Sequence, residues 1–354
     1  VTDFREPGWP STDLLAISNP DGRCLFSMLH RSSPRSLSRW LLVAALGTCP
    51  AQESTDPEQA RALAGIAILP SRTDPAIQNF DFAHYLHVDR DIVLRGAKDK
   101  PAARGELLVW LTGTGGRGRG AGEFCRLAAS QGYHVLKVMY PTDLPATVCK
   151  RDPDPAAFER FRTCLIAGGR CAQITVDRVD SIEHRLIKLL QLLAKTRSRE
   201  QWGQFLQPDA GLRWDKIVPA GQSQGGGHAF LIGMKHRVAR VIGTGAPKDW
   251  SPQLSGPAPW LLGPSATPKD RFFSFNHAQD HQGATPDQQW QILRAFDPAA
   301  PIVSIDQPFD AKARHLSTNH PGSPLSSTEA HTSVLADRNA ERLRPVWLHL
   351  LTAP

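Results

Sequence analysis

The stretch Gly221-Gln222-Ser223-Gln224-Gly225 ends an apolar, strand-like run and leads straight into a helix-forming segment. Its G-x-S-x-G spacing is that of a nucleophile elbow, where a serine sits on a cramped strand-to-helix turn and small neighbours keep that turn free of collisions. The chemistry would be attack on a carbonyl. It needs a base, a group to orient the base, and donors for the oxygen that turns negative. A second glycine-rich turn, Thr112-Gly113-Thr114-Gly115-Gly116-Arg117-Gly118, also follows a strand-like run. Its Gly113-x-Gly115-x-x-Gly118 spacing matches the dinucleotide-binding fingerprint, which wants an acidic residue about 20 residues on, at the end of the next strand. Tyr140 and Pro141 stand there instead, and Asp143 comes late. The competing reading makes this turn an oxyanion loop, in which the backbone N–H groups of Thr114 and Gln224 converge on the developing negative charge. That reading gives both turns a purpose, whereas the dinucleotide reading leaves the Ser223 turn idle.

Alternating elements position these turns. Strand patterns run through 106–111, 133–140, 216–221, 238–245, 271–276 and 301–307, with an edge strand or hairpin at 84–94. Helical patterns cover 122–132, stopped by Gly132, and the segment after Asp180 or Ser181, whose Ile182, Leu186, Leu189, Leu190 and Leu193 share one face. Further helices follow at 225–235, 285–296 and 337–351. Strands alternating with helices predict an α/β fold, a mostly parallel central sheet with helices on both faces. Residues 52–80 read as a polar lead-in, 81–354 as the domain, and 142–180 and 246–270 as insertions.

The chain has 354 residues, 41% of them hydrophobic and 21% charged, and a net charge of +7, so it can bury a sizeable core. The Lys and Arg residues are scattered, without a basic run or aromatic interleaving, which argues against a nucleic-acid partner. Residues 28–51 open on basic residues, continue through the apolar stretch Trp40 to Leu46, and end on small residues and a polar stretch. This is the layout of a secretory signal peptide, too short to span a bilayer, and it predicts an exported protein, periplasmic or secreted, with residues 1–27 as an upstream extension. A lipid anchor at Cys49 is the minor alternative, with Thr48 departing from the small residue usual before such a cysteine. With that leader removed, Cys125, Cys149, Cys164 and Cys171 remain. An even count in an exported chain predicts disulfides, in any of three connectivities.

The strand ending in "GQSQGGGHA", the upstream "LTGTGG" after another strand, and the β/α alternation together resemble the α/β-hydrolase superfamily over about residues 80–354, and within it exported bacterial serine hydrolases. The resemblance implies the α/β-hydrolase fold, a Ser–acid–His triad in that chain order, no cofactor and no metal, and a small-molecule or polymeric ester as substrate. It puts the acid after a late strand and the histidine after the last one. Asp280 in "HAQDHQG" takes the acid's place, with Asp249 in "GAPKDW" as its rival, and His331 in "STEAHTSVLAD" takes the base's. His315 and His320 read as surface residues in a Pro/Ser/Asn-rich loop. His228 reads as packing or a helix cap, and His277 and His281 lack the setting of a metal site. Arg117 and Arg119 could attract an anionic substrate, and Trp250 and Trp260 could roof the site or anchor their loop. Thr112-Gly113 stands where many members of the superfamily have His-Gly.

Overall fold

The computed structural model describes residues 57–118 and 120–354. The export signal, the extension before it, Cys24, Cys49 and Arg119 lie outside the described residues.

β3 (Leu107–Leu111) shows why the centre of the fold is a sheet covered on both sides. Leu107, Val109 and Leu111 pack into one apolar cluster, Leu108 and Trp110 into another, and all five are buried. The first cluster lies under α3 (Ala157–Ala167), α4 (Ile182–Thr196), α5 (Gln224–Lys235) and α6 (Pro286–Phe296). The second lies under α2 (Gly122–Ser130) and α8 (Ala340–Thr352).

The remaining strands are β1 (Ile66–Ile68), β2 (His84–His87), β4 (His134–Val138), β5 (Ile217–Gln222), β6 (Val241–Thr244), β7 (Phe272–His277), β8 (Ile302–Ser304) and β9 (His315–Thr318). They form one sheet in the order β1-β2-β4-β3-β5-β6-β7-β9-β8, antiparallel at the β1–β2 and β2–β4 pairs and parallel elsewhere. A mostly parallel sheet, helices on both faces, and a serine on the β5–α5 turn make this the α/β-hydrolase fold. Register brings the chemistry to one edge of the sheet: Leu111 pairs with Gly221, Gln222 with Thr244, and Thr244 with Phe275. The loops after β3, β5, β6 and β7 therefore leave the sheet side by side.

Four expectations change. The segment read as a lead-in carries α1 (Pro57–Ala64) and β1, so the 84–87 strand lies one place in from the sheet edge. The Ile66–Ile68 run is cut short by Gly65 and Pro70 within a polar stretch, which hides the strand. β9 has one aliphatic residue, Leu316, among polar ones and carries no strand pattern, and it takes His315 off the surface: His315 is buried between β7 and β8, 3.0 Å from Ser274 Oγ and 3.6 Å from Asp297. His320 is exposed as expected. Finally, the four cysteines are free thiols, not disulfides. Cys125 packs under α2 on the sheet face opposite Cys149 and Cys164, out of their reach. Burial pushes the Cys125 and Cys149 thiols up to about 12. Burial, and then a hydrogen bond with Cys171, raises Cys164 to about 11. Among the described residues no helix is long and apolar enough to cross a membrane.

Two histidines of β2 are buried in the sheet. His84 Nδ1 accepts from the Met139 N–H at 2.9 Å, and His87 Nδ1 lies 2.9 Å from the Leu63 carbonyl. Burial, and for His84 the charge of Arg185 as well, pulls them down to about 3 and about 4. Their neutral forms stabilise the fold fully above the unfolded value of about 6.5, and that stability is lost as pH falls through the window down to the folded values. Each histidine should cost about 1.4 kcal/mol per pH unit within it. Urea midpoints measured from about pH 7 to about pH 4.5 should fall steeply, and the slope should flatten in His84→Gln and His87→Gln.

Candidate active site

Ser223 follows β5 with φ 55° and ψ −119°, a backbone setting that costs a non-glycine residue about 1–3 kcal/mol and persists only where its surroundings over-determine it. Here they do. The Ser223 N–H donates to the Thr244 carbonyl at 2.8 Å, and its own carbonyl accepts from the Gly227 N–H at 3.0 Å, starting α5. The glycines two residues either side are steric requirements: a Cβ on Gly225 would lie 2.1 Å from the Leu111 carbonyl oxygen, and one on Gly221 would lie 2.5 Å from Gly225. The G-x-S-x-G pattern is thus the condition for α5 to start against the end of β3.

The expected oxyanion residues lie beside the serine. The Gly115 and Gly116 N–H groups are spent on the Thr142 and Gly113 carbonyls, while those of Thr114 and Gln224 have no backbone acceptor among the described residues. The Gln224 side chain locks the two loops together. Its Oε1 accepts from the Thr114 hydroxyl at 3.1 Å and from the Ala146 N–H at 2.8 Å.

Asp280, in the loop after β7, is fully buried, and its Oδ2 lies 2.7 Å from His331 Nδ1. The Gln282 N–H holds Oδ1 at 2.9 Å, and the Gln289 amide donates to the Asp280 carbonyl at 2.6 Å. Burial pushes this carboxyl up, but the His331 hydrogen bond and the charge of Lys248 outweigh it and hold it below the usual carboxylate range. His331 lies inside α7 (Ser327–Ser333), a short helix opened by a Ser326–Glu329 capping box, rather than just ahead of a helix. Gln222, next to the serine, donates to the His331 carbonyl at 3.2 Å.

Ser223, His331, Thr114 and Gln224 line one cavity of about 570 Å³ together with Pro145, Ala146, Phe158 and Lys248. With Nδ1 turned to Asp280, the other ring nitrogen of His331 is the one available to a group in this cavity. Such an arrangement can move a proton away from a hydroxyl and hold the resulting imidazolium against a carboxylate.

The rival acid is engaged elsewhere. Asp249 makes a two-point pair with Arg162, at 2.7 Å to Nε and 2.6 Å to Nη2, and accepts from Trp260 Nε1 at 3.0 Å. Arg162 also donates to the Gln224 carbonyl at 2.9 Å and lies 3.4 Å from His228 Nδ1. A Cβ on Gly227 would collide with this guanidinium, so the third glycine after the serine makes room for it. Burial and the Arg162 charge keep His228 well below its ordinary value, as a packing residue. Trp250 and Trp260 are buried anchors of their loop and do not line the cavity. Arg117 stacks over Phe82 and sits 3.7 Å from Asp143, also off the cavity. Both ring nitrogens of His277 face backbone groups, the His320 carbonyl and the Gln279 N–H.

Sequence reasoning missed Lys248. Its Nζ lies 2.5 Å from Asp280 Oδ2, 2.8 Å from the Gln282 carbonyl and 3.0 Å from His331 Nδ1. A lysine three residues past Gly245 and next to Pro247 carries no spacing that would have marked it. Arg162 was equally hidden, in an aperiodic excursion.

No protein-family model and no curated protein matches the chain. Among solved structures it is similar to esterase B from Lactobacillus rhamnosis, crystallised with a tributyrin phosphonate, at 14% identity and TM-score 0.37 over 81% of this chain and 86% of that one. It is also similar to an S-formylglutathione hydrolase from Agrobacterium tumefaciens, at 12% and 0.39 over 80% and 97%. A bacterial heroin esterase matches at 16% and 0.36 over 76% and 79%. Likeness at this level bears on neither substrate nor residue roles.

The Arg162–Asp249 pair is fully desolvated, so removing one charge strands the other. Asp249→Asn should lower unfolding free energy by about 3–5 kcal/mol, and Arg162→Met with Asp249→Leu should recover part of the loss, as urea titration would measure.

Proposed function

We propose that this protein is a serine hydrolase that cleaves a carboxylic ester. The observation that carries the reading is the pairing of a positive-φ serine with a histidine in one cavity, the histidine backed at 2.7 Å by a buried carboxylate. Ser223 Oγ attacks the ester carbonyl and forms a bond to its carbon. His331 takes the hydroxyl proton on Nε2 while Nδ1–H stays on Asp280. The carbonyl oxygen, now negative, is held by the Thr114 and Gln224 N–H groups. Collapse expels the alcohol, which receives the proton from His331. Water then repeats the sequence on the acyl-enzyme and returns the serine. Pro145, Ala146 and Phe158 give the cavity an apolar side for the acyl group. Amide cleavage and acyl transfer to an acceptor other than water use the same groups, and product analysis with paired ester and amide substrates separates them. Export through residues 28–51 is proposed with this reading. N-terminal sequencing of the periplasmic fraction should find a chain starting near residues 50–53, and an intact Met28 in the cytoplasm would defeat it.

The direct test is covalent labelling with a fluorophosphonate and turnover of a p-nitrophenyl ester series. Ser223→Ala should abolish labelling. Ser223→Ala and His331→Ala should each reduce kcat by several powers of ten with the fold intact, and Asp280→Asn by less, since the acid orients the base without reacting. Full activity in His331→Ala would sink the assignment.

A further inference from the structure

The proposed reaction leaves Lys248 without a part, although it stands at the centre of the charged groups. Its ammonium has three hydrogens, and three acceptors surround it: Asp280 Oδ2 at 2.5 Å, the Gln282 carbonyl at 2.8 Å and His331 Nδ1 at 3.0 Å. While Nδ1 accepts from the lysine, all three hydrogens are engaged and none is left over to hold a substrate.

Nδ1 of His331 therefore faces opposite demands. Toward Asp280, at 2.7 Å, it must carry a hydrogen and donate. Toward a charged Lys248 it must present a lone pair and accept. One imidazole nitrogen cannot do both. With hydrogen on Nδ1, Nε2 keeps its lone pair and can take the proton of Ser223. With Nδ1 accepting from the lysine, the hydrogen sits on Nε2 and the ring cannot act as base.

We propose that Lys248 is a positioning residue that sets the tautomer and the basicity of His331 across the shared carboxylate of Asp280, so that discharging the lysine releases the base. The inference rests on the serine-hydrolase reading. A charged Lys248 also opposes the imidazolium that forms 3.0 Å away when Ser223 gives up its proton, and discharging it removes the cation that competes with His331 for the Asp280 charge. The groups facing the lysine are Asp280 from the loop after β7 and His331 from α7. Next along the chain, the charges of Asp249 and Arg162 cancel in their own pair. Burial brings Lys248 down to about 8 against the opposing pull of Asp280, so the switch falls within an accessible range. The step is a simple ionisation: one N–H bond of the ammonium breaks, and the proton leaves to water through the cavity that Lys248 lines.

The test compares pH profiles of the parent, Lys248→Met and Lys248→Arg. In the parent, kcat/KM for an ester should rise in two steps, the second centred near about 8, the value at which the lysine discharges. Lys248→Met should leave a single acid-side rise, so that it exceeds the parent severalfold at about pH 7 and converges with it by about pH 9.5. Lys248→Arg, charged throughout, should stay at the lower level. A uniform loss in Lys248→Met with both steps kept would mean the lysine merely packs, and would overturn the proposal. Nitrogen-15 NMR of the histidines, with His331→Ala for assignment, reads the tautomer without any substrate. The His331 hydrogen should move from Nε2 to Nδ1 as the parent's lysine discharges. Finding it on Nδ1 on both sides of that transition would overturn the proposal, and this reading of the parent decides even if Lys248→Met fails to fold. If the tautomer titrates while no ester is cleaved and no phosphonate binds, the hydrolase reading fails and only the control of the His331 tautomer by Lys248 stands.

Discussion

The close approach of Gly225 to the Leu111 carbonyl fixes the rest of the site. β3 and β5 are hydrogen-bonded neighbours ending at the same level, with Leu111 paired to Gly221, so the helix after β5 has to begin against the end of β3. It can do so only where no Cβ intervenes, and only if the chain turns through a positive φ at Ser223. Once that turn is made, the first N–H groups of α5, the side chain of Ser223 and the loop after β3 face the same space. The strain is local and its support is distributed: β6 supplies the acceptor for the Ser223 N–H, and β6 in turn is held by β7.

The two insertions are coupled to that turn by charge. Arg162 comes from the excursion after β4 and Asp249 from the loop after β6, and they meet beside the first turn of α5, in the wall of the cavity, where the guanidinium also takes the Gln224 carbonyl. A buried two-point ion pair of this kind contributes little net stability over apolar packing, but it fixes the relative positions of its partners. Gln224 extends the same connection forward through Thr114 and Ala146. The residue after the serine thereby ties the loop after β3 to the loop after β4, and the dimensions of the cavity follow from both.

Much of this was legible in the sequence, and what was not has physical causes. The long apolar strands, the capped helices and the G-x-S-x-G turn are local patterns, so β3, β5, α4, α5 and the position of Ser223 could be read directly. The resemblance to α/β-hydrolases directed attention to the loops that carry Asp280 and His331, and the two side chains lie 2.7 Å apart. A run cut short by Gly65 and Pro70 hid β1, and a strand with one aliphatic residue among polar ones hid β9 and put buried His315 on the surface. The cysteines misled because an even count shows neither that Cys125 lies on the other side of the sheet nor that Cys164 and Cys171, close enough to share a hydrogen bond, are unbridged thiols. Arg162 and Lys248 act through contacts 87 and 32 residues away in the chain, and no local pattern encodes such distances.

Adjacent residues of one loop, Lys248 and Asp249, enter two buried ion pairs of different character. Asp249 meets an arginine, whose charge is permanent and whose planar fork takes both carboxylate oxygens, so its charge is fully committed and it cannot also hold an imidazole. Asp280 meets a lysine, a point charge bound to one oxygen only, and that oxygen is the one His331 shares. An ammonium buried this deeply loses its proton far more readily than a guanidinium does. In the proposed reaction, the carboxylate that must remain responsive to a proton moving on and off an imidazole is thus paired with the cation that can itself be discharged. The carboxylate that holds the insertions against the start of α5 is paired with the cation that cannot. Exchanging the two cations would, on the same proposal, fix the charge where it has to vary and loosen it where it has to hold.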